Sequence, residues 1–269
     1  MNTIANFSFE TSPLAEGILL LSQTIRTDFP LADVRHQLKQ LADEAQAVIP
    51  KDIDKNQQTK KLINLFFQQW KFRAAGGTYR LSDAIWLDTV LVKRQGAAVA
   101  LAAIFLYVAR ALDLPLIPVL FPEQLILRAD WLDEEIWLIN PLNGDTLDEH
   151  TLEVWIRSHF GAQAELEEDD LEGANNLHIV HNMLDTLKAA LIEEEQMELA
   201  LRTSEALLLF DPEDPYEIRD RGLIYAQLAC NHIAISDLSY FVEHCPEDPI
   251  TGIIKMHIST MKKLVITVH

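Results

Sequence analysis

The sequence predicts an α+β protein: a mostly helical first domain carrying a small antiparallel sheet, followed by an all-α domain of paired helices. Three observations predict it. Residues 95–115 are apolar nearly all round, with no charge from Ala97 to Ala109, so they read as a helix buried at a domain centre. After Pro115 the hydrophobic period changes from that of a helix to that of short strands. Beyond residue 173 the pattern repeats at an interval of 34 residues.

In chain order, Ser12-Pro13 is a helix start, and Leu14, Ile18, Leu21 and Ile25 share the face that follows, up to Phe29-Pro30. A second helix over about 31–48 presents Val34, Leu38 and Leu41. A third over about 54–70 presents Leu62, Leu65, Phe66 and Trp70. Gly76-Gly77 marks a break before a helix over 82–93 with Trp86, Leu87, Val90 and Leu91 inward. The central helix follows, with Leu101, Ile104, Phe105, Val108 and Leu112 at helical spacing. Burying each of these five is worth about 1.5–3 kcal/mol before entropy is subtracted. Residues 116–121, 124–129 and 135–140 read as three strands of an antiparallel meander, separated by Pro122 and an acidic turn. Asp148 caps a helix through about Phe160. Residues 161–173 form the one shift in composition. The domain organisation expected is 1–162, an acidic linker 163–173, and 174–269.

The second domain carries two copies of one pattern, about 181–214 and 215–248, and a capping helix over about 249–263. Ala200 matches Ala234, Leu207 matches Phe241 and Pro212 matches Pro246. Gly222, Tyr225, Ala234 and Pro246 stand at the small, aromatic, small and proline positions of a tetratricopeptide repeat (TPR). Gly and Ala let paired helices approach, Tyr fills the groove and Pro ends the second helix. The first copy has Lys188 and Leu191 where the second has Gly222 and Tyr225.

Composition limits function. The net charge is −19, and residues 161–220 hold 17 acidic residues against three basic ones, Lys188, Arg202 and Arg219. Such a chain repels phosphate backbones, so no nucleic-acid partner is expected. The acidity reads as a solvated surface or as a docking face for a basic partner. The longest apolar run is shorter than the roughly 20 residues that span a bilayer, so no membrane partner is expected. The N-terminus has no basic n-region, and Cys230 and Cys245 read as free packing thiols; the expected location is the cytoplasm.

A helix opening beside a glycine, then Leu114-Pro115 and three strands, resembles the transglutaminase-like core, a papain-related Cys-His-Asp scaffold. Joined to the repeats and the segment Arg219-Asp220-Arg221-Gly222-Leu223, this chain resembles the SirB family of bacterial proteins over about residues 12–263. Its most specific segments are Lys93-Arg94-Gln95-Gly96, Leu114-Pro115, the run from Trp137 to Gly144, and the RDRG segment. The resemblance implies a nucleophile at the buried N-terminus of the central helix, a histidine opening the second strand and an orienting Asp or Asn on the third. Those positions fall at Ala98 or Ala100, Gln124 and Asn140. No Cys, Ser or Thr occurs from Gln95 to Ile104, and no histidine between His36 and His150. Acyl transfer needs an activated nucleophile and a proton acceptor, and neither alanine nor glutamine supplies one.

The expected function is therefore that of a non-catalytic interaction protein, a pseudoenzyme, binding a protein or peptide partner. The surface used would be that of the repeats, with Ala200, Pro212, Gly222, Tyr225, Ala234 and Pro246 as their signature, or the relic cleft of Gln95, Ala98, Ala100, Gln124, Asn140 and Asn143. The amides of that cleft either close it by bonding backbone or line a groove for an extended peptide, with Arg94 and Arg128 at its rim. A groove filled by Trp86, Trp131 or Trp137 would favour closure. The alternative is a hydrolase or acyl transferase using other residues, such as Glu123 with His150 or His159. The His178, His181 pair is a weak metal signal, and no metal or other cofactor is expected.

Overall fold

A computed structural model describes residues 7–9, 11–122, 124–131 and 136–267. The described residues form eleven α-helices and six strands, and they divide into two compact units. The first runs through Gln23 and from Asp28 to Met183. The second takes Thr24–Thr27 and the chain from Leu184 on.

In the first unit, α1 (Leu14–Ile25, its last two residues assigned to the second unit) and α2 (Leu31–Val48) follow the expected spacing, and Ile18, Leu21, Val34 and Leu38 are buried. The third helix differs from its expected form. Here α3 (Lys55–Ile63), capped by the Asp54 carboxylate on the Gln57 N–H, passes into a π-helical turn over Asn64–Gln69. The wider turn seats Phe66 and Phe67 side by side in the core. Phe66 stacks on Phe72 at 4.3 Å and meets Phe105 edge-on at 5.1 Å. The helix expected over 82–93 is likewise broken: a 3-10 turn at Ser82–Ala84 precedes α4 (Leu87–Lys93), with Trp86 extended between them.

The central helix α5 (Ala98–Ala111) is as apolar in its surroundings as in its sequence. Leu101, Ile104, Phe105 and Val108 are all buried. The meander is β3 (Leu116–Phe121), β4 (Gln124–Asp130) and β5 (Ile136–Ile139), extended by β6 (Thr146–Leu147), which the pattern did not reveal. A second unforeseen pairing is parallel, β1 (Arg73–Ala74) with β2 (Gln95–Gly96). Two-residue strands are too short for alternation to register.

Register fixes the faces of the sheet. Val119 lies opposite Ile126, Phe121 opposite Gln124, and Arg128 opposite Leu138. Val119, Phe121, Ile126 and Leu138 form one cluster with Leu152 and Ile156 of α6 (Glu149–Phe160). The alternate residues Leu125, Leu127 and Ile139 are buried on the other face, which is left for α5. The stretch read as a linker packs on the α6 face: Ala164, Leu166 and Leu171 join that cluster, Arg128 Nη1 donates to the Leu171 carbonyl at 2.8 Å, and the Ala174 N–H reaches the Pro118 carbonyl at 2.8 Å. The acidic side chains dominate its composition, while its sparse apolar residues decide where it lies. The boundary between the compact units falls within α7 (Asn176–Glu193).

The second unit contains α8 (Met197–Leu207), α9 (Pro215–Gln227), α10 (Asn231–His244) and α11 (Thr251–Thr267), with the C-terminal part of α7. Ala234, Leu238 and Phe241 of α10 form one core with Ile254, Ile258 and Met261 of α11.

Candidate functional site

The N-terminus of α5 is built by close backbone approach. Arg94 ends α4 in the left-handed conformation at φ 56°, and its N–H bonds to the Val90 carbonyl. At Gly96 a Cβ would fall 2.9 Å from a Val90 methyl carbon, so only glycine fits. The Ala97 N–H then bonds to the Ala84 carbonyl at 2.8 Å, and α5 begins. Ala98 stands half-buried in its first turn and Ala100 is fully buried. The helix dipole needed to activate a nucleophile is in place. The side chains there are methyl groups.

Asn140 and Asn143 organise a turn. The Asn140 side chain accepts the Leu142 N–H at 2.9 Å, its carbonyl accepts the Gly144 N–H at 2.8 Å, and Asn143 accepts the Asp145 N–H at 3.0 Å. Gly144, at φ 81°, lies against Phe67, where a Cβ would come within 2.5 Å of the ring. The segment Arg73–Ala75 joins this turn to the α5 N-terminus. Ala74 donates to the Leu142 carbonyl, and Ala75 to that of Gly96. Gln95 faces Arg73, whose guanidinium its amide oxygen can accept. Gln95, Ala98, Asn140 and Asn143 thus share one neighbourhood.

Gln124 is placed otherwise. As the partner of Phe121 it belongs to the α6 face of the sheet, and it is exposed. Arg128 is drawn to the same side, bonded to Asp130 and Leu171. Glu123 lies outside the described residues. Trp86 is buried, and Trp131 meets Trp137 edge-on at 5.3 Å, with Lys60 over the Trp137 ring. Arg94 proves more deeply held than a rim residue. Its guanidinium lies 4.5 Å over the Phe72 ring, and its buried Nη1 has no hydrogen-bond partner. Burial lowers its pKa, with Glu44 opposing.

In the second unit the repeat signature translates into contacts. At Gly222 a Cβ would sit 3.0 Å from Asp237 Cβ and 3.0 Å from Leu238 Cγ, which measures how closely α9 approaches α10. Ala200 and Ala234 are fully buried, and Pro212 and Pro246 lie in the turns that follow α8 and α10. Tyr225 packs at the edge of the α10–α11 core.

Comparison with known proteins agrees with this architecture. The transglutaminase-like superfamily matches residues 32–185, and a tetratricopeptide repeat family matches 187–259. Protein SirB1 of Salmonella typhimurium and the UPF0162 protein YchA of Escherichia coli K12 are each 55% identical over the whole of both chains. The chain belongs to this SirB1 family. A UPF0162 protein of Vibrio cholerae is 37% identical over 97% of each chain. No solved structure matches.

The segments that distinguish this SirB1 family member serve its packing. Lys93 to Gly96 makes the tight entry to α5, and the run from Trp137 to Gly144 supplies β5 and the asparagine turn. In the RDRG segment, Arg221 forks onto Asp237 with bonds of 2.7 and 2.9 Å, and Asp220 accepts from Lys188 at 3.0 Å. Lys188 is a buried lysine, bonded also to the buried Glu217 carboxylate at 2.5 Å, which in turn accepts from Ser204. In the sequence Lys188 stands out as a departure from the repeat and as one of the few basic residues in an acidic stretch. Its signal lay in the same register: Thr203 and Ser204 stand where the second copy has Asp237 and Leu238. Small partners on α8 leave room for the longer side chain.

Proposed function

We propose that this protein is a non-catalytic cytoplasmic scaffold that binds a partner protein through its repeat unit, its transglutaminase-like unit being a pseudoenzyme. The observation that carries the reading is Ala98 at the head of α5: a methyl group stands at the helix terminus where the resemblance implies a nucleophile. Gln124, on the α6 face, is turned away from α5, so it is not positioned to serve a nucleophile there. The asparagine amides spent on their own turn support the repeats, rather than the relic cleft, as the docking surface.

The repeat unit also carries exposed apolar side chains at Ile192, Leu209, Tyr216, Ile233, Ile253 and Met256. No helix among the described residues is long and apolar enough to cross a membrane.

The test is cross-linking and affinity purification at native expression, comparing the native chain with an Ile253→Glu, Met256→Glu variant. The expected result is a reproducible protein partner that the variant recovers at least fivefold less well. Recovery of no reproducible partner removes the proposal. So does turnover of an ester or amide substrate that is lost on His150→Ala.

A further inference from the structure

The opposite end of α5 borders a cleft that the relic site does not include. It measures about 280 Å³ and lies between the segment 11–14, the last turns of α5, the start of β3 and Asn176. One wall is fixed. The Asn176 amide nitrogen donates to the carbonyls of Phe9 at 3.1 Å and Ser12 at 3.0 Å, and the Phe9 ring closes over Gly17, where a Cβ would fall 2.9 Å away. The floor is apolar, with Leu106 and the buried Leu114.

Two opposite charges line this cleft without meeting each other. Neither Arg110 nor Asp113 forms an ion pair or a side-chain hydrogen bond among the described residues. Asp113 is held in the left-handed conformation at φ 53° by the end of α5, where the Leu114 N–H bonds to the Ala109 carbonyl at 3.0 Å. With both its N–H groups committed, Asn176 keeps a carbonyl oxygen that accepts nothing among the described residues. Tyr107 also lines the cleft, and burial, then Glu16 and Asp43, raise its pKa against the pull of Arg35, so it stays protonated at neutral pH. Polar and apolar side chains thus line the cleft in about equal share, which suits a small ligand carrying both kinds of group. A carboxylate alone would be unremarkable in a chain of charge −19; an uncommitted arginine beside it is not.

We propose that this cleft binds a free α-amino acid with an aliphatic side chain. Arg110 receives the carboxylate, Asp113 and the Asn176 oxygen receive the ammonium group, and the side chain rests on Leu106 and Leu114. The volume, near the lower end for ligand pockets, accommodates a ligand of this size. This site is independent of the partner-binding role of the repeats.

Calorimetric titration of the full chain with L-leucine, N-acetyl-L-leucine and L-leucinamide tests it. L-leucine is expected to bind at one saturable site, and each blocked analogue at least tenfold more weakly. Arg110→Gln and Asp113→Asn should each weaken L-leucine binding tenfold or more. Both residues are exposed, and asparagine tolerates the left-handed backbone, so circular dichroism and melting should stay as in the native chain. In Asp113→Asn the preference for leucine over its N-acetyl form should also shrink. No binding of L-leucine at millimolar concentration, equal binding of the blocked analogues, or full affinity in both variants would overturn the proposal. The analogue comparison is made on the native chain and stands even if a variant misfolds.

Discussion

Lys188 occupies a position where the neighbouring repeat requires glycine, and it holds the first helix pair to α9 by charge rather than by close approach. Its ammonium serves Glu217, Asp220 and, at 3.5 Å, Asp185. Burial opposes its charge, but the bonds and charges of Glu217 and Asp220 outweigh that, so its pKa rises. Removing one member of a buried pair leaves the other charge uncompensated, at a cost of about 3–5 kcal/mol. Lys188→Ala should therefore lower the unfolding free energy of the repeat unit by about that amount in urea titration. Lys188→Met with Glu217→Gln should recover most of it, and a double variant no better than the single would refute a charge-based role. The pH dependence has a definite sign. A lysine raised in the folded state contributes its full stability below 10.5, and loses it as pH climbs through the higher folded value. Melting of Lys188→Met should accordingly be less sensitive to alkali than that of the native chain. Gly144 makes a second residue-scale case. Alanine there meets both φ 81° and the Phe67 ring, and should cost about 2–4 kcal/mol in the first unit, read by denaturant unfolding.

At the scale of elements, α5 was legible because an apolar surface all round has only one place to go. Its neighbours were less so. The π-helical turn at Asn64–Gln69 keeps a helical hydrophobic pattern while changing the bond ladder, and nothing in residue types marks the change. The register of β4 was equally hidden: strand boundaries could be read, but whether Gln124 faces α5 or α6 depends on its pairing with Phe121. That pairing decides the chemistry. Ala98→Cys should yield a thiol whose pKa lies below the usual value of about 8.5, since it joins the first turn of α5. The rate of iodoacetamide alkylation against pH would report it. Yet Ala98→Cys with Gln124→His should remain without acyl transfer, because thiol and imidazole lie on opposite sides of the sheet. Hydrolysis of a p-nitrophenyl ester faster than by Ala98→Cys alone would contradict the face assigned to Gln124.

Across the whole molecule, the two kinds of architecture were visible from periodicity, and the division between them was obscured by charge. Residues 161–173 look like a linker because carboxylates dominate them, yet Ala164, Leu166 and Leu171 pack the stretch onto the sheet face. Composition reports what faces water, and two leucines and two alanines among seven acidic and polar neighbours barely change it. The same charge has a global consequence. A formal −19, with −14 of it in residues 161–220, sets exposed carboxylates in mutual repulsion that the unfolded chain relieves by expanding. Raising ionic strength from 0.01 to 0.15 M shortens the screening length from about 30 to about 8 Å, which quenches that repulsion between neighbouring helices. Each 1 kcal/mol so regained should raise the melting temperature by roughly 2–4 °C for a chain of this size. The Lys188 cluster is sheltered from salt by its burial, so the surface repulsion should prevail and calorimetric melting should shift upward with sodium chloride. A downward shift would mean that attractive surface pairs such as Arg35–Glu16 and Lys93–Asp83 outweigh the excess negative charge.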